Sequence, residues 1–160
     1  MCVLQAFKIW GDRCGAILVE LAIVFPVLLI LGLGVFEFGN LLWRYHQINT
    51  GVRDAARYLA RLDNPIASAT AGKELAVMGQ IGGTAKRVPW WNVGDVTVSI
   101  QTVANADLVT GARLYRGPDP IRIVRVSTGV NYPGIGFLGV LGISSAVTLN
   151  LFHEERVIGE

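Results

Sequence analysis

Cysteine is scarce in this sequence, which has only Cys2 and Cys14 among its 160 residues. Both precede Gly15, so the chain beyond that glycine can form no disulfide, no thiolate metal site and no thiol nucleophile. Cys14 also does not fit a lipid-modified cysteine, because charged residues rather than an apolar segment stand before it. Disulfide scaffolds and cysteine-based catalysis are therefore excluded for residues 16–160.

Charge and catalytic motifs are also sparse. The formal net charge is +2, and no cluster of Lys and Arg with interleaved aromatic residues occurs, so the sequence predicts no nucleic-acid-binding surface. The two histidines, His46 and His153, lie far apart, and the segment at His153 lacks the second histidine of a zincin helix. Neither a Gly-x-Ser-x-Gly motif nor a phosphate-binding glycine loop occurs. We therefore predict no catalytic residue, no metal site and no cofactor.

Apolar residues, in contrast, are abundant and unevenly placed. They make up 52% of the chain, and the mean hydropathy is +0.47. The surplus is concentrated in residues 16–39. As a helix these residues would be about 36 Å long, enough to cross the roughly 30 Å hydrocarbon core of a bilayer. We predict that residues 16–39 form a transmembrane helix.

Two acids bracket the fully apolar part of this span. Glu20 and Glu37 leave only the run from Leu21 to Phe36 uncharged. That run would be about 24 Å long as a helix, which is short for a span, so both acids are expected at the membrane interfaces. Pro26 lies inside the run and removes one amide donor, which predicts a kink or a loosened turn.

A cleaved secretory signal peptide is the alternative reading of the apolar run. Its apolar region would be shorter, and a small-x-small cleavage site would follow; no such site follows residue 36. The orientation of the span in the membrane is harder to predict, because four arginines follow the span up to residue 61 and only two basic residues precede it. The positive-inside rule alone would place the C-terminal part in the cytoplasm, but it weakens for long translocated domains. We predict a cytoplasmic N-terminus and a periplasmic C-terminal part.

Beyond the span the pattern becomes amphipathic without a break. Apolar residues recur at alternating spacings of four and three, which predicts one stripe on a helix that continues the span. The residues of the stripe are Leu41, Tyr45, Ile48, Val52, Ala55 and Leu59. Asn64 before Pro65 disfavours helical geometry. We therefore predict a single helix of nearly fifty residues that ends before residue 65.

The rest of the chain has the pattern of a small α+β head. A short helix is predicted at residues 68–78, and alternating apolar residues predict strands at 95–103, 121–132 and 146–153. Residues 112–116 are a candidate fourth strand. The predicted architecture is a long N-terminal helix whose apolar stripe packs on a small antiparallel sheet, in a pilin-like, single-pass membrane protein.

Two head segments keep open interpretations. The adjacent tryptophans Trp90 and Trp91 are either a binding platform or the anchor of a loop. The glycine-rich apolar connection of residues 132–142 either lies over the helix or touches lipid. The sequence alone does not choose in either case.

The residues around Gly15 resemble a known processing motif. Gly15 followed by Ala16-Ile17-Leu18-Val19-Glu20 is similar to the class III/type IVb prepilin cleavage motif, with Gly at the cut and Glu at the fifth mature position. More narrowly, Arg-Cys-Gly-Ala at 13–16, Phe-Pro at 25–26 and Phe-Glu-Phe-Gly at 36–39 resemble the TadE-like minor pilins of Tad (tight adherence) pilus systems. The Arg-Asp-Ala-Ala-Arg-Tyr segment at 53–58 resembles the Ala/Arg-rich segment of the same family.

The resemblance implies a function and a set of partners. It implies a bacterial inner-membrane prepilin that a prepilin peptidase cuts between Gly15 and Ala16, and that acts as a pseudopilin in assembling Flp-type pili for adherence and biofilm formation. Other Tad pilins, the platform proteins and membrane lipid would be its partners. After the cut, Glu20 could neutralise the new amino group of a neighbouring copy and so fix the register of apolar helices. Otherwise, Glu20 is an interfacial acid near the start of the helix, where the helix dipole favours negative charge.

The predicted organisation is a leader at 1–15, a transmembrane helix at 16–39, an amphipathic helix at 40–63 and a periplasmic head at 64–160. Two rival functions remain at this stage. One is a bitopic anchor that presents a small binding or scaffold domain and never enters a filament. The other is a membrane-tethered hydrolase, which would depend on His153.

Overall fold

The computed structural model describes residues 13–107, 109–117, 119–140, 142 and 147–158. Its elements, in chain order, are α1 (Arg13–Ala60), α2 (Ala69–Met78), a 3-10 turn (Val93–Asp95), β1 (Val96–Val103), β2 (Ile121–Tyr132), α3 (Phe137–Val140) and β3 (Val147–Arg156). The long apolar helix and the three-stranded antiparallel sheet confirm the predicted α+β fold class with one candidate membrane span.

The chain divides into two compact units, Met1–Gly39 and Asn40–Glu160. In the first unit the described residues are 13–39, which form the apolar part of α1. The second unit, called the head unit below, contains the remainder of α1 and every other element of the described residues. The predicted leader falls, up to residue 12, outside the described residues. The predicted boundaries at residues 15, 39 and 63 stay predictions.

The amphipathic stretch of α1 forms one side of the core of the head unit. Four residues of the predicted stripe are fully buried there: Ile48, Val52, Ala55 and Leu59. Tyr45, in contrast, is 38% exposed, and Leu41 is only partly buried. An α-helix has about 3.6 residues per turn, so Tyr45 and Val52, which are seven residues apart, lie on nearly the same face of α1. The buried face also takes in Ala56 and Ala60, while Tyr45, nearer the start of this stretch, is exposed although Val52 on the same side is buried.

The other side of the core is the inner face of the sheet. The strands lie in the order β1-β2-β3, and both pairs are antiparallel. Alternate residues of β2 point into the core, as the sequence periodicity predicts: Val124, Val126, Thr128, Val130 and Tyr132. β2 has the predicted bounds, β1 begins one residue later than predicted, and β3 continues three residues beyond the predicted end.

Residues 112–116 do not form the predicted fourth strand. In the described part of this loop there is one isolated bridge, between Ala106 and Arg113. The fully buried Asn105 explains why the pairing goes no further. Its side chain donates to the carbonyl of Tyr115 over 2.8 Å and accepts from the amide of Tyr115 over 2.9 Å. An amide side chain thus takes the backbone groups that a neighbouring strand would need.

β2 runs antiparallel to the part of α1 that lies in the head unit. At one end, the side chain of Asn40 donates a hydrogen bond to the hydroxyl of Tyr132 over 2.7 Å. At the other end, the amide of Ile158 donates to the carbonyl of Ala60 over 2.8 Å, and Arg122 donates to the carbonyl of Asp63 over 3.1 Å. The contact with Ile158 satisfies one of the carbonyls that the end of a helix leaves without a partner.

Candidate functional site

The predicted processing site lies in the first turn of α1. The helix begins at Arg13, so the peptide bond between Gly15 and Ala16 has helical residues on both sides. A Cβ placed on Gly15 would meet nothing within 4 Å. Ala16 is exposed.

Glu20 is one turn further along and is also exposed. Its sequence neighbours are large and apolar, and their side chains are exposed as well, with Val19 at 63% and Leu21 at 54%. The carboxylate of Glu20 therefore projects from an otherwise apolar cylinder. Pairing of this carboxylate with the amino terminus of a second copy stays a prediction.

The run between the two predicted interfacial acids is an exposed apolar surface. Phe36, at its end, is 65% exposed, and no residue of the most apolar window of α1 is buried. This window has a mean hydropathy of 2.8, and α1 is the one helix of the described chain that is long and apolar enough to cross a membrane. Pro26 lies within α1, whose helical assignment continues on both sides of it. A surface of this size is typical of a helix that lipid or other helices surround.

Glu37 differs sharply from Glu20. Its side chain is only 4% exposed, whereas Glu20 is exposed. The two acids that look alike in the sequence therefore occupy different environments, and the prediction that both sit at membrane interfaces stays a prediction.

The small residues of the Ala/Arg-rich segment allow close packing in the head unit. Ala55 and Ala56 are fully buried. One turn earlier, a Cβ added to Gly51 would collide with the carbonyl of Ala76 and approach the ring of Trp91 to 2.9 Å. Here α1 needs a glycine because α2 and the indole lie directly against its backbone.

The charged residues of the same segment bind the rest of the head unit. Asp54 accepts a hydrogen bond from Arg87 over 2.6 Å. The side chain of Arg87 is 22% exposed, and its Nε atom is buried without a hydrogen-bond partner among the described residues. This leaves the carboxylate of Asp54 as the charge that compensates a largely desolvated guanidinium group.

A second charged contact joins α1 to β3. Arg57 Nε lies 3.5 Å from Oε1 of Glu155, and Nε2 of His153 lies 3.0 Å from the same oxygen. The hydrogen bond from His153 is the main cause that lowers the pKa of Glu155, and Arg57 lowers it further, while burial of the carboxylate opposes them. His153 thus lies in a cluster with Arg57 and Glu155 on the inner side of β3.

The surroundings of His153 do not resemble a catalytic cleft. A cavity of about 300 Å³ near the end of β3 is lined by Tyr115, Ile121, Ile123, Glu154, Glu155 and Arg156, and His153 is not among them. Among the residues that the structure describes, no group of three or more His, Cys, Asp or Glu residues that could hold a metal occurs. The geometry of His153 gives the hydrolase hypothesis no support.

The two adjacent tryptophans have separate environments. Trp91 is fully buried, and its indole N–H donates to Oγ1 of Thr128 over 3.0 Å. Trp90 is partly buried and packs edge-to-face on Tyr132, with 6.0 Å between the ring centroids. Trp91 therefore anchors its loop to the sheet, which is the second of the two interpretations that the sequence left open.

Sequence reasoning missed the partners Arg87 and Glu155. In the sequence, Asp54 and Arg57 stand out only as residues of the family-like Arg-Asp-Ala-Ala-Arg-Tyr segment. Their spacing, three residues apart on one helix, was a signal that both lie near one face. The identity of the partners depends on how α2, its following loop and β3 fold around α1.

Comparisons with known proteins agree with the motif at the helix. A family model described as TadE-like protein matches residues 15–57, about a quarter of the chain. The comparison with curated proteins and the comparison with solved structures each returned no match. The matched residues include the glycine of the processing motif, Glu20 and the apolar span. They also include Asp54 and Arg57, which contact Arg87 and Glu155 in the head unit. Over residues 15–57 this chain is TadE-like, which confirms the predicted resemblance and implies a pilin-like role associated with the Tad pilus.

Proposed function

We propose that this protein is a minor pilin, or pseudopilin, that takes part in assembling Tad-type pili. The TadE-like match over residues 15–57 is the observation that carries the proposal. In this proposal residues 16–39 cross the bacterial inner membrane, the N-terminus is cytoplasmic and the head is periplasmic. TadE-like proteins are structural components of pili, which agrees with a role in assembly rather than in catalysis.

The exposed apolar surface of α1 supports a role that includes transfer between two environments. In the membrane, lipid covers this surface. In a filament, the apolar helices of neighbouring subunits would cover it instead. The same helix thus suits both the stored and the assembled state, without any change in the fold of the head.

The transfer of α1 from lipid into a filament would change the environment of Glu20. Burying an isolated carboxylate among apolar helices is unfavourable unless an opposite charge pairs with it. Cleavage after Gly15 would make Ala16 the first residue and give it a charged amino group. We propose that this amino group and Glu20 of an adjacent subunit form the pair that fixes axial register.

The partners follow from these steps. A prepilin peptidase would remove the leader, other Tad pilins would pack against α1, and the platform proteins would extract the subunit from the membrane. The assembled pili would serve surface adherence and biofilm formation.

N-terminal sequencing and intact mass of the protein purified from membranes test the processing step. In cells with an active prepilin peptidase we expect an N-terminus at Ala16. We expect Gly15→Leu to block the cut, whereas Gly32→Leu leaves it unchanged. A Cβ at either glycine meets nothing within 4 Å, so the two variants differ in the motif and not in packing. An N-terminus at Met1 in those cells would instead favour the bitopic anchor that never enters a filament.

Charge substitutions at Glu20 test the assembly step. Glu20→Gln keeps the size of the side chain and removes its charge, so we expect fewer pili and retention of the subunit in the membrane. Glu20→Asp keeps the charge on a shorter side chain and should retain more assembly than Glu20→Gln. If piliation and extraction are the same for Glu20→Gln and the native protein, the register role is wrong.

A further inference from the structure

The outer face of the sheet, which points away from the core, has a hollow in its middle strand. Successive side chains of a strand point to opposite faces, so Ser127 and Gly129 lie on the outer face, while Thr128 between them is buried. The register places Phe152 of β3 directly beside Ser127, and Asn150 directly beside Gly129. Two small residues therefore stand next to two larger ones, and a hollow remains above the middle strand.

This hollow, called the outer trough below, has a volume of about 370 Å³. Six of its lining residues carry the argument: Thr97, Arg125, Ser127, Gly129, Asn150 and Phe152. All of them belong to the head unit. Small-molecule sites in proteins have volumes of roughly 300–1,000 Å³. The outer trough is thus large enough for a small ligand, at the lower end of that range.

The charges at the outer trough do not favour an anion. Arg125 forms an ion pair with Glu154 over 3.0 Å, and its guanidinium carbon also lies 4.1 Å from the ring centroid of Phe152. The positive charge of Arg125 is therefore compensated within the protein. Asp95 also lines the trough, and its negative charge repels phosphate and carboxylate groups. The trough consequently suits a neutral ligand better than an anionic one.

The neutral polar groups of the outer trough have unused hydrogen-bonding capacity. Among the described residues, the hydroxyls of Thr97 and Ser127 and the side-chain amide of Asn150 have no protein partner. Each of these groups can both donate and accept hydrogen bonds. The amide of Asn150 leans over the middle strand, since a Cβ added at Gly129 would lie 2.9 Å from its Oδ1 atom. Donors and acceptors thus line the trough without being paired to one another.

Phe152 adds an aromatic ring to these polar groups. The residue is 56% exposed, so the part of the ring that Arg125 does not cover is accessible from the trough. A sugar offers hydroxyl groups for hydrogen bonds and polarised C–H groups for the negative face of an aromatic ring. Neutral hydroxyl and amide groups beside an open aromatic ring match both properties at once.

We propose that the outer trough binds a neutral saccharide. In this proposal the sugar packs against Phe152 and forms hydrogen bonds with Ser127 and Asn150. Arg125 has a positioning role, because its ion pair with Glu154 holds the guanidinium against the ring. The proposal needs only the fold of the head unit and does not depend on the pilus role.

Saturation-transfer difference NMR with two neutral disaccharides, cellobiose and chitobiose, tests the site. The full chain is reconstituted into phosphatidylethanolamine–phosphatidylglycerol nanodiscs, which avoid detergents that carry a sugar headgroup. We expect saturable binding of at least one disaccharide, with a Kd on the order of 1 mM for so small and open a site. Inorganic phosphate at the same concentration should not displace it.

Two substitutions to valine locate the binding. Ser127→Val fills the floor of the outer trough, and we expect binding to be lost. Ser99→Val is the matched control, because Ser99 lies on the outer face of β1 beside Arg125 but does not line the trough. This control should bind the disaccharide with an unchanged Kd. Thermal unfolding of both variants shows whether the fold is retained.

Asn150→Ala gives a second measurement that does not depend on filling the trough. Asn150 is exposed and makes no side-chain hydrogen bond within the described residues, so its removal should not affect folding. Loss of one hydrogen bond to the sugar should raise the Kd about two- to tenfold.

Three results would overturn the proposal. The first is the absence of saturable binding for both disaccharides in the native chain. The second is displacement of the sugar by inorganic phosphate, which would make the trough an anion site. The third is an unchanged Kd in both Ser127→Val and Asn150→Ala, which would place the sugar elsewhere on the molecule.

Discussion

The indole N–H of Trp91 and the hydroxyl of Thr128 form a buried hydrogen bond of 3.0 Å between a loop and the central strand of the sheet. The same hydroxyl donates to the carbonyl of Asp95 over 2.9 Å. Thr128 thus satisfies two groups of the loop at once, while its own side chain is 5% exposed. The short polar side chain of Thr128 thus holds the loop after α2 against β2 inside an apolar core.

Thr128→Val should destabilise the head unit by about 1–3 kcal/mol, because the change keeps the shape and leaves the buried indole N–H without a partner. Thermal or denaturant unfolding of the protein in detergent measures this. Thr148→Val is the matched control: it removes an exposed hydrogen bond to Asn131 in the same sheet and should change the free energy of unfolding by about 0.5 kcal/mol or less. Equal effects of the two changes would contradict the assigned role of Thr128.

Gly51→Ala should destabilise the head unit, although alanine is normally the better helix former by about 1 kcal/mol. The added methyl group would collide with the carbonyl of Ala76 and with the ring of Trp91. Overpacking of this kind typically costs about 1–3 kcal/mol. Gly39→Ala, in the same helix, meets nothing within 4 Å and should leave the unfolding of the head unchanged. A higher unfolding temperature for Gly51→Ala would show that α1 and α2 do not approach this closely.

Asp54→Asn should lower the free energy of unfolding by about 1–2 kcal/mol, because it leaves the guanidinium of Arg87 largely desolvated without its opposite charge. Glu154→Gln is the matched control. It breaks an ion pair with Arg125 whose two side chains are 35% and 36% exposed, so about 0.5 kcal/mol is expected. Denaturant titration of the two variants compares them directly. A larger loss for Glu154→Gln would contradict the difference in burial.

The carboxylate of Glu155 should titrate below the ordinary glutamate value of 4.5, because hydrogen bonds from His153 and Arg57 lower its pKa. A group whose pKa is lower in the folded state stabilises the fold above its unfolded pKa and loses that contribution as pH falls through the folded pKa. The free energy of unfolding should therefore decrease on acidification below about pH 4.5. Carbon-detected NMR titration of the labelled side chain measures the pKa itself.

His153→Ala should raise the pKa of Glu155 and weaken this acid dependence, since His153 is the first cause of the lowered value. His46→Ala is the control, because His46 lies on α1 beside Tyr45 and makes no recorded contact with Glu155 within the described residues. A pKa of Glu155 that stays the same in His153→Ala would show that the histidine contact does not persist in solution.

Local patterns in the sequence predicted the elements well where one periodicity dominates. The alternation of apolar and polar residues in 121–132 predicted the bounds of β2 correctly, because every second residue of a strand faces the same core. The heptad stripe identified the buried face of α1 but misplaced Tyr45, because spacing gives the face of a helix and not which residues of that face the other elements cover. The candidate strand at 112–116 failed where the side chain of Asn105 bonds both backbone groups of Tyr115, a contact that the spacing of residues does not reveal.

The candidate site likewise has one part that the sequence could predict and one part that it could not. The motif from Gly15 to Glu20 is contiguous, so it could be recognised without any fold. The ion pair between Asp54 and Arg87 joins residues 33 positions apart and depends on the path of the intervening chain. Glu37 lies between these cases, because its position in the sequence predicted an acid at the membrane interface, whereas the residue is only 4% exposed in the folded chain.

The antiparallel arrangement of α1 and β2 has a mechanical consequence. The contacts at Asn40 and at Ala60 lie at opposite ends of the part of α1 that belongs to the head unit, and the apolar core lies between them. A force along the axis of α1 would therefore act on both contacts and on the core in shear. These interactions would have to break at the same time and not one after another. Such a head resists traction better than one that peels from a single end.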